Sequence, residues 1–133
     1  MQEYQEYLVQ KYQDDKIIYR DPKTKKLHRI DGPAVEYANG DKFWYQNGKL
    51  HRVDGPAMEL SNGTKEWYQN NQRHRVDGPS IEYANGSKYW HQNDQRHRLD
   101  GPAVEYKNGD KEYWIDGVKY SEEKFLNKIA TQK

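Results

Sequence analysis

At 133 residues the chain has the length of one ordinary domain, and its 22 basic and 21 acidic side chains leave a net charge of +1. That balance excludes an overall field drawing it to nucleic acid or an anionic membrane, and the absence of cysteine excludes disulfides and thiolate chemistry. Leu, Ile, Val and Phe number only 20, too few for a thick aliphatic core, whereas 18 aromatic residues, twelve of them Tyr, can cover area while keeping a polar atom wet.

In chain order, residues 1–15 carry Tyr4, Tyr7, Leu8 and Tyr12 at a spacing that roughly fits a helical stripe, with a strand as the alternative. They contain no apolar run followed by a small-residue cleavage site, and no stretch nears the ~20 apolar residues of a membrane span. A soluble, cytoplasmic protein is expected. Residues 16–20 followed by Leu27-His28-Arg29 read as half of a repeating unit whose turn has grown to residues 21–26.

Four complete units of 23 residues follow, at 27–49, 50–72, 73–95 and 96–118, keyed by His-Arg at 28–29, 51–52, 74–75 and 97–98. Each contains Asn-Gly between two strand-like runs, a second turn such as Asn47-Gly48, and an Asp-Gly-Pro break. The expected architecture is all-β: an elongated, twisted antiparallel meander with three short strands per unit, for example 34–37, 42–46 and 50–53. Two-residue turns at both sites set Val35 opposite Trp44 and Trp44 opposite His51. One face then carries Val35, Tyr37, Trp44, His51 and Val53 as a buried stripe. The other carries Ala34, Glu36, Phe43, Tyr45, Leu50 and Arg52 toward solvent or a partner. Beyond the array, Ser121 with Glu122 and Glu123 marks a helix start, with Tyr120 placed to staple onto Phe125. Phe125, Leu126 and Ile129 would share the face of this C-terminal cap over residues 119–133.

The order Trp44-Tyr45-Gln46-Asn47-Gly48-Lys49-Leu50-His51, on through Gly55 and Gly63, resembles that of MORN repeats, and the resemblance extends over residues 16–118. It implies an elongated antiparallel sheet with an interaction role. The usual His-Gly-x-Gly of that family is here His-Arg-x-Asp-Gly-Pro, a variant that looks like the repeats of many phage, viral and bacterial proteins. The resemblance therefore suggests a phage accessory protein that binds and inhibits a host defence protein.

The His-Arg-x-Asp sequence offers a base, a cation and a carboxylate, but adjacent strand residues point to opposite faces and cannot converge on one atom. The expected roles are structural: His against its Trp neighbour, Asp on the Gly-Pro turn, Arg paired with Glu. Catalytic residues, a metal site and cofactors are not expected, and His91 reads as a surface substitution. The candidate partner-binding set is the row Arg29, Arg52, Arg75 and Arg98 with Phe43, Tyr45, Tyr68, Tyr89, His91 and Trp114, and Lys42, Lys65, Lys88 and Lys111 on the opposite face. A protein partner, probed by Tyr, Trp and Arg, is the first expectation. Nucleotide or nucleic-acid binding through the Arg and aromatic face is the alternative, and a self-associating array a third.

Overall fold

The computed structural model describes residues 6–131, so Tyr4 lies outside the described residues. Strand β1 (Leu8–Lys11) pairs antiparallel with β2 (Ile17–Arg20), which resolves the N-terminal alternative in favour of a strand over a helix. The first complete unit contributes β3 (Val35–Glu36), β4 (Lys42–Phe43), β5 (Tyr45–Gln46) and β6 (Lys49–Leu50). The second contributes β7 (Met58–Glu59), β8 (Lys65–Glu66), β9 (Tyr68–Gln69) and β10 (Gln72–Arg73), and the third β11 (Ile81–Glu82), β12 (Lys88–Tyr89), β13 (His91–Gln92) and β14 (Gln95–Arg96). The last contributes β15 (Val104–Glu105), β16 (Lys111–Ile115) and β17 (Val118–Tyr120), followed by α1 (Glu122–Ala130).

Eleven strands form one antiparallel meander in the order β1-β2-β3-β4-β7-β8-β11-β12-β15-β16-β17. The hairpins β5-β6, β9-β10 and β13-β14 stand apart from it as separate two-stranded sheets. Each of the first three units thus gives two strands to the long sheet and two to its own hairpin, not three strands to one meander. The expected strand 42–46 divides at Trp44. Its N–H donates to the Ala57 carbonyl of the next unit, while its own carbonyl accepts from His51 N–H in the small hairpin. Trp67 and Trp90 repeat the change of sheet. Tyr113 in the last unit has no following unit, and there the strand runs on unbroken through Ile115.

The two turns of a unit are of different kinds. The second turn holds both central residues in the left-handed region, Asn47 at φ 51° and Gly48 at φ 78°, as a two-residue type I′ hairpin requires. Tyr45 lies opposite Leu50, so Trp44 faces His51 as expected. The first turn is one residue longer. Tyr37 N–H donates to the Asp41 carbonyl across Ala38-Asn39-Gly40, and only Gly40 of the three has positive φ, at 99°. That is a three-residue loop ending in a left-handed glycine, and it shifts the pairing by one residue.

The shift redistributes the faces. Val35 lies opposite Phe43, not Trp44, and one row runs Ile18, Val35, Phe43, Met58, Glu66, Ile81, Tyr89, Val104, Glu112. The expected apolar stripe and the expected variable row are a single face on alternate strands. The other row runs Glu36, Lys42, Glu59, Lys65, Glu82, Lys88, Glu105, Lys111. The lysines therefore share the glutamate face, contrary to their expected placement, and Lys42, Lys65 and Lys88 each stand between two glutamate-bearing strands.

The buried apolar side chains are small or few: Ala34, Ala57 and Ala103, Ile18, Val35, Ile81, Val104, Ile115 and Phe125. Polar contacts between units supplement this thin core. Asp41 Oδ1 accepts from Ser61 N–H at 2.7 Å, Thr64 Oγ1 from Ala84 N–H at 3.1 Å, and Ser87 Oγ from Lys107 N–H at 3.1 Å. The small hairpins are joined likewise, Asn71 Oδ1 accepting from Leu50 N–H at 2.7 Å. At the C-terminal end, Ser121 caps α1 by accepting from Lys124 N–H, and buried Phe125 packs on Tyr113 with ring centroids 4.9 Å apart. Leu126 is exposed, unlike the expected shared face, while Ile129 is half-buried.

Thr64→Val keeps the volume and deletes one inter-unit acceptor. It is expected to cost about 1 kcal/mol in urea unfolding without changing the far-ultraviolet circular dichroism. An unchanged midpoint would mean that water replaces the bond at no cost.

Candidate functional site

Each Arg of the His-Arg-x-Asp-Gly-Pro loops is fully engaged within its own loop and the strand beside it. Arg52 stacks its guanidinium 3.9 Å from the Trp44 ring centroid, its Nε donates to Asp54 Oδ1 at 3.2 Å, and its Nη1 donates to the Pro56 carbonyl at 3.0 Å and Glu59 Oε1 at 3.3 Å. Arg75 on Trp67 and Arg98 on Trp90 repeat the arrangement, and Arg29 uses Tyr19 in the half unit. The expected Arg–Glu pairing is present in all four. Glycine is required here by space: a Cβ on Gly55 would lie 2.9 Å from Arg52 Cζ. These side chains are only 20–23% exposed, so the Arg row, named from sequence as part of the candidate partner-binding set, is spent on contacts inside the chain.

The partner expected for Trp was His, yet Trp takes Arg. The His Nδ1 instead accepts a backbone N–H from the type I′ turn: His28 from Asn47, His51 from Asn70, His74 from Asn93 and His97 from Asp116, all at 3.0–3.1 Å. A ring nitrogen that accepts this bond leaves the ring hydrogen on Nε2, and at His97 the same Nδ1 also stands 3.1 Å from Asp116 Oδ1.

Phe43, Tyr45, Tyr68, Tyr89, His91 and Trp114 are indeed brought toward one face, but they are half-buried or buried, and all but Tyr45 are engaged by neighbours inside the chain. Phe43 meets Tyr37 edge-on, and Tyr89 meets Tyr83 and Tyr106 edge-on while stacking with His91. The Tyr68 hydroxyl donates to Glu66, and burial above all pushes it up to about 12. Trp114 Nε1 donates to Glu112 Oε1 at 2.8 Å, and Tyr106 donates to the other oxygen. The Tyr106 bond is the chief cause holding the Glu112 carboxyl below its ordinary range.

His91 is 6% exposed, so it is not the surface substitution expected. It lies 2.7 Å from Ser80 Oγ, which also donates to the Tyr89 carbonyl at 3.0 Å. With the Ser80 proton used there, His91 Nδ1 is the donor to Oγ. Where the third unit has Ser80 and His91, the first has Ala34 and Tyr45 and the second Ala57 and Tyr68, so the two positions change together. A Ser beside a His has the makings of a nucleophile and its base, but full burial of Ser80 keeps any substrate away. Desolvation, then the positive charges of Arg73 and Arg96, pulls His91 down to about 4 against a slight opposing pull from Asp94.

What the loops leave outside was missed at the sequence level. Ile30, Val53, Val76 and Leu99, the x of each His-Arg-x-Asp, are 56, 79, 78 and 42% exposed. Beside them Asp31, Asp54, Asp77 and Asp100 project outward with 66–87% of the side chain exposed. The hydrogen bond from Arg29 is the main cause keeping Asp31 below the usual carboxylate range and hence ionised. Successive loops flank open grooves of about 630 Å³ over Trp44 and about 660 Å³ over Trp67. The available signal was that an aliphatic residue recurs at x in all four units although the fold buries none of them. No protein-family model matches the chain, and no curated protein matches it.

Two outcomes are expected. Gly55→Ala forces the Arg52 guanidinium off Trp44 and lowers stability by about 2 kcal/mol, whereas Val53→Ser, on the same loop but pointing outward, stays within about 0.5 kcal/mol; equal losses in denaturant melts would contradict the clamp. His91 is held neutral in the fold, so between pH 6.5 and 4 the unfolded chain binds more protons. Its contribution is full above pH 6.5 and is lost as pH falls toward 4. The double substitution S80A/H91Y, which restores the first unit's pair, should therefore remove roughly 2–3 kcal/mol of the destabilisation seen between pH 7 and pH 4.5. Parallel acid sensitivity of the two proteins would refute it.

Proposed function

We propose that this chain is a non-catalytic protein-interaction module, and that its contact surface is the ridge of Ile30-Asp31, Val53-Asp54, Val76-Asp77 and Leu99-Asp100. One observation carries the proposal: among the described residues, four aliphatic side chains at equivalent places stand 42–79% exposed, and none of them enters the core. Scattered exposed aliphatics need no explanation, but a periodic row beside grooves lined by Trp44 and Trp67 does. A row also allows weak contacts to act together.

Nucleotide or nucleic-acid binding through the Arg row has less support. The guanidiniums are spent on Trp, Asp, Pro carbonyl and Glu, and the lysines alternate with glutamates along their face. On the repeat resemblance alone, the partner we propose is a host protein and the outcome its inhibition.

The test is affinity capture from lysate of the natural host with tagged wild type and with V53D/V76D. Wild type should retain one protein at about equal stoichiometry and the variant should lose it, with circular dichroism unchanged. Retention by both would move the interface elsewhere. Loss instead on R96A, at the inner aromatic face, would return it to the residues singled out from sequence.

A further inference from the structure

We propose that the ridge binds an extended, cationic, proline-rich segment that runs along the array in a polyproline II conformation and drops a side chain into each groove. The proposal rests on the ridge being the interaction surface and deepens it by naming the occupant.

Pitch is the first ground. The long sheet advances two strands per unit, and strands lie ~4.8 Å apart, so equivalent loops recur about every 9.6 Å. A polyproline II helix returns the same edge every three residues, about 9.3 Å. Over the three steps that join the four loops, the mismatch grows to only about 0.9 Å. A β-strand presents one edge every ~6.8 or ~13.6 Å and meets no such period. An α-helix repeats a face every seven residues, about 10.5 Å, and drifts by about 2.7 Å over the same distance.

Groove chemistry is the second. Trp44, with Pro33 and Arg52, lines the first groove between Ile30 and Val53, and Trp67, with Pro56, Arg52 and Arg75, lines the second between Val53 and Val76. Indole and proline surface beside a stacked guanidinium, between aliphatic side chains, suits a proline ring, and a segment already held in polyproline II loses little conformational entropy on docking.

Charge is the third. At each loop the carboxylate faces outward, while the guanidinium that pairs with it lies behind, stacked on its ring. A ligand on the ridge therefore meets Asp31, Asp54, Asp77 and Asp100 before any Arg. Arg or Lys at every third position would answer that row, and an acidic segment would be repelled.

The probe is fluorescein-labelled (Pro-Pro-Arg)6, titrated with the full chain and followed by anisotropy. Three controls accompany it: (Pro-Pro-Glu)6 reverses the charge, (Gly-Gly-Arg)6 keeps the charge without the conformation, and an Ala-based helix carries Leu and Arg at seven-residue spacing. Binding of (Pro-Pro-Arg)6 is expected to exceed that of each control at least tenfold. V53S/V76S should weaken it at least tenfold, and D54N/D77N, in which the amide oxygen can still accept from Arg Nε, should weaken it and flatten its salt dependence. No binding of (Pro-Pro-Arg)6, equal binding of (Gly-Gly-Arg)6, tighter binding of the helix, or indifference to V53S/V76S would each overturn the proposal. Lysate capture that is lost in V53D/V76D while (Pro-Pro-Arg)6 fails to bind would remove this occupant and leave the interaction surface standing.

Discussion

The loop conformation depends on one contact made four times: an Arg guanidinium laid flat on the aromatic ring of the preceding unit. The cation–π term is worth on the order of 1–2 kcal/mol where water is largely excluded. Its larger consequence is geometric. Once the plane is set by Trp44, the remaining donors of Arg52 reach Asp54, the Pro56 carbonyl and Glu59, which ties the loop, the ring beneath it and the next strand into one body. Gly55 gives the guanidinium room, and Pro56 removes a donor at the entry to the strand. With Arg turned inward, residue 53 between Arg52 and Asp54 has only solvent to face. The exposed aliphatic row is thus a geometric by-product of the clamp, though its apolar identity is not.

The clamp matters because the sheet is thin. Alanine occupies a fully buried place in the first, second and fourth units and Ser80 takes it in the third, and the apolar row is interrupted by Glu66 and Glu112. Neighbouring units are held by polar contacts: Asp41, Thr64 and Ser87, each following an Asn-Gly, accept from the next turn, and the type I′ turns at Asn71, Asp94 and Gly117 donate to the last strand of the hairpin before them, at Leu50, Arg73 and Arg96. Such an array is nearly one-dimensional, with stability summed from interfaces. Its last interface cannot use a following unit, and α1 substitutes for it by setting Phe125 on Tyr113. At the opposite end β1 serves as the outer strand.

Much of this was legible in sequence, and the failures share a physical origin. The repeat, the all-β class, the half unit, the Ser121 cap and the type I′ turns at Asn47-Gly48 and its equivalents follow from turn chemistry that admits few alternatives. Asn39-Gly40 admits two. The dipeptide suits a two-residue type I′ turn and equally a three-residue loop in which only the glycine is left-handed. The difference is one residue of register, and one residue exchanges the faces. From that slip came the pairing of Val35 with Trp44 and the placement of lysines away from glutamates. The separation of Trp from Arg has another source: β6 ends at Leu50, so Arg52 lies beyond the strand, no longer follows its alternation and reaches Trp44. His91 was misjudged for another reason: its partner Ser80 lies eleven residues earlier, and neither substitution explains itself alone.

Correct faces also change where variation between units counts. Phe43, Glu66, Tyr89 and Glu112 differ most, and on an outward face they would have written a different surface in every unit. On the inner face they are answered locally, Phe43 by Tyr37, Glu66 by Tyr68 and Arg73, Tyr89 by His91, Glu112 by Arg96, Trp114 and Tyr106. Their differences are absorbed before they reach solvent. Outside, the loops present nearly the same thing, an aliphatic residue beside a carboxylate, with grooves between the first three of them. A surface that repeats in this way discriminates poorly by side-chain identity at any one loop and well by spacing along several. The property it can select is therefore the period of what lies on it, which is why pitch, more than any single contact, limits the ligands that fit.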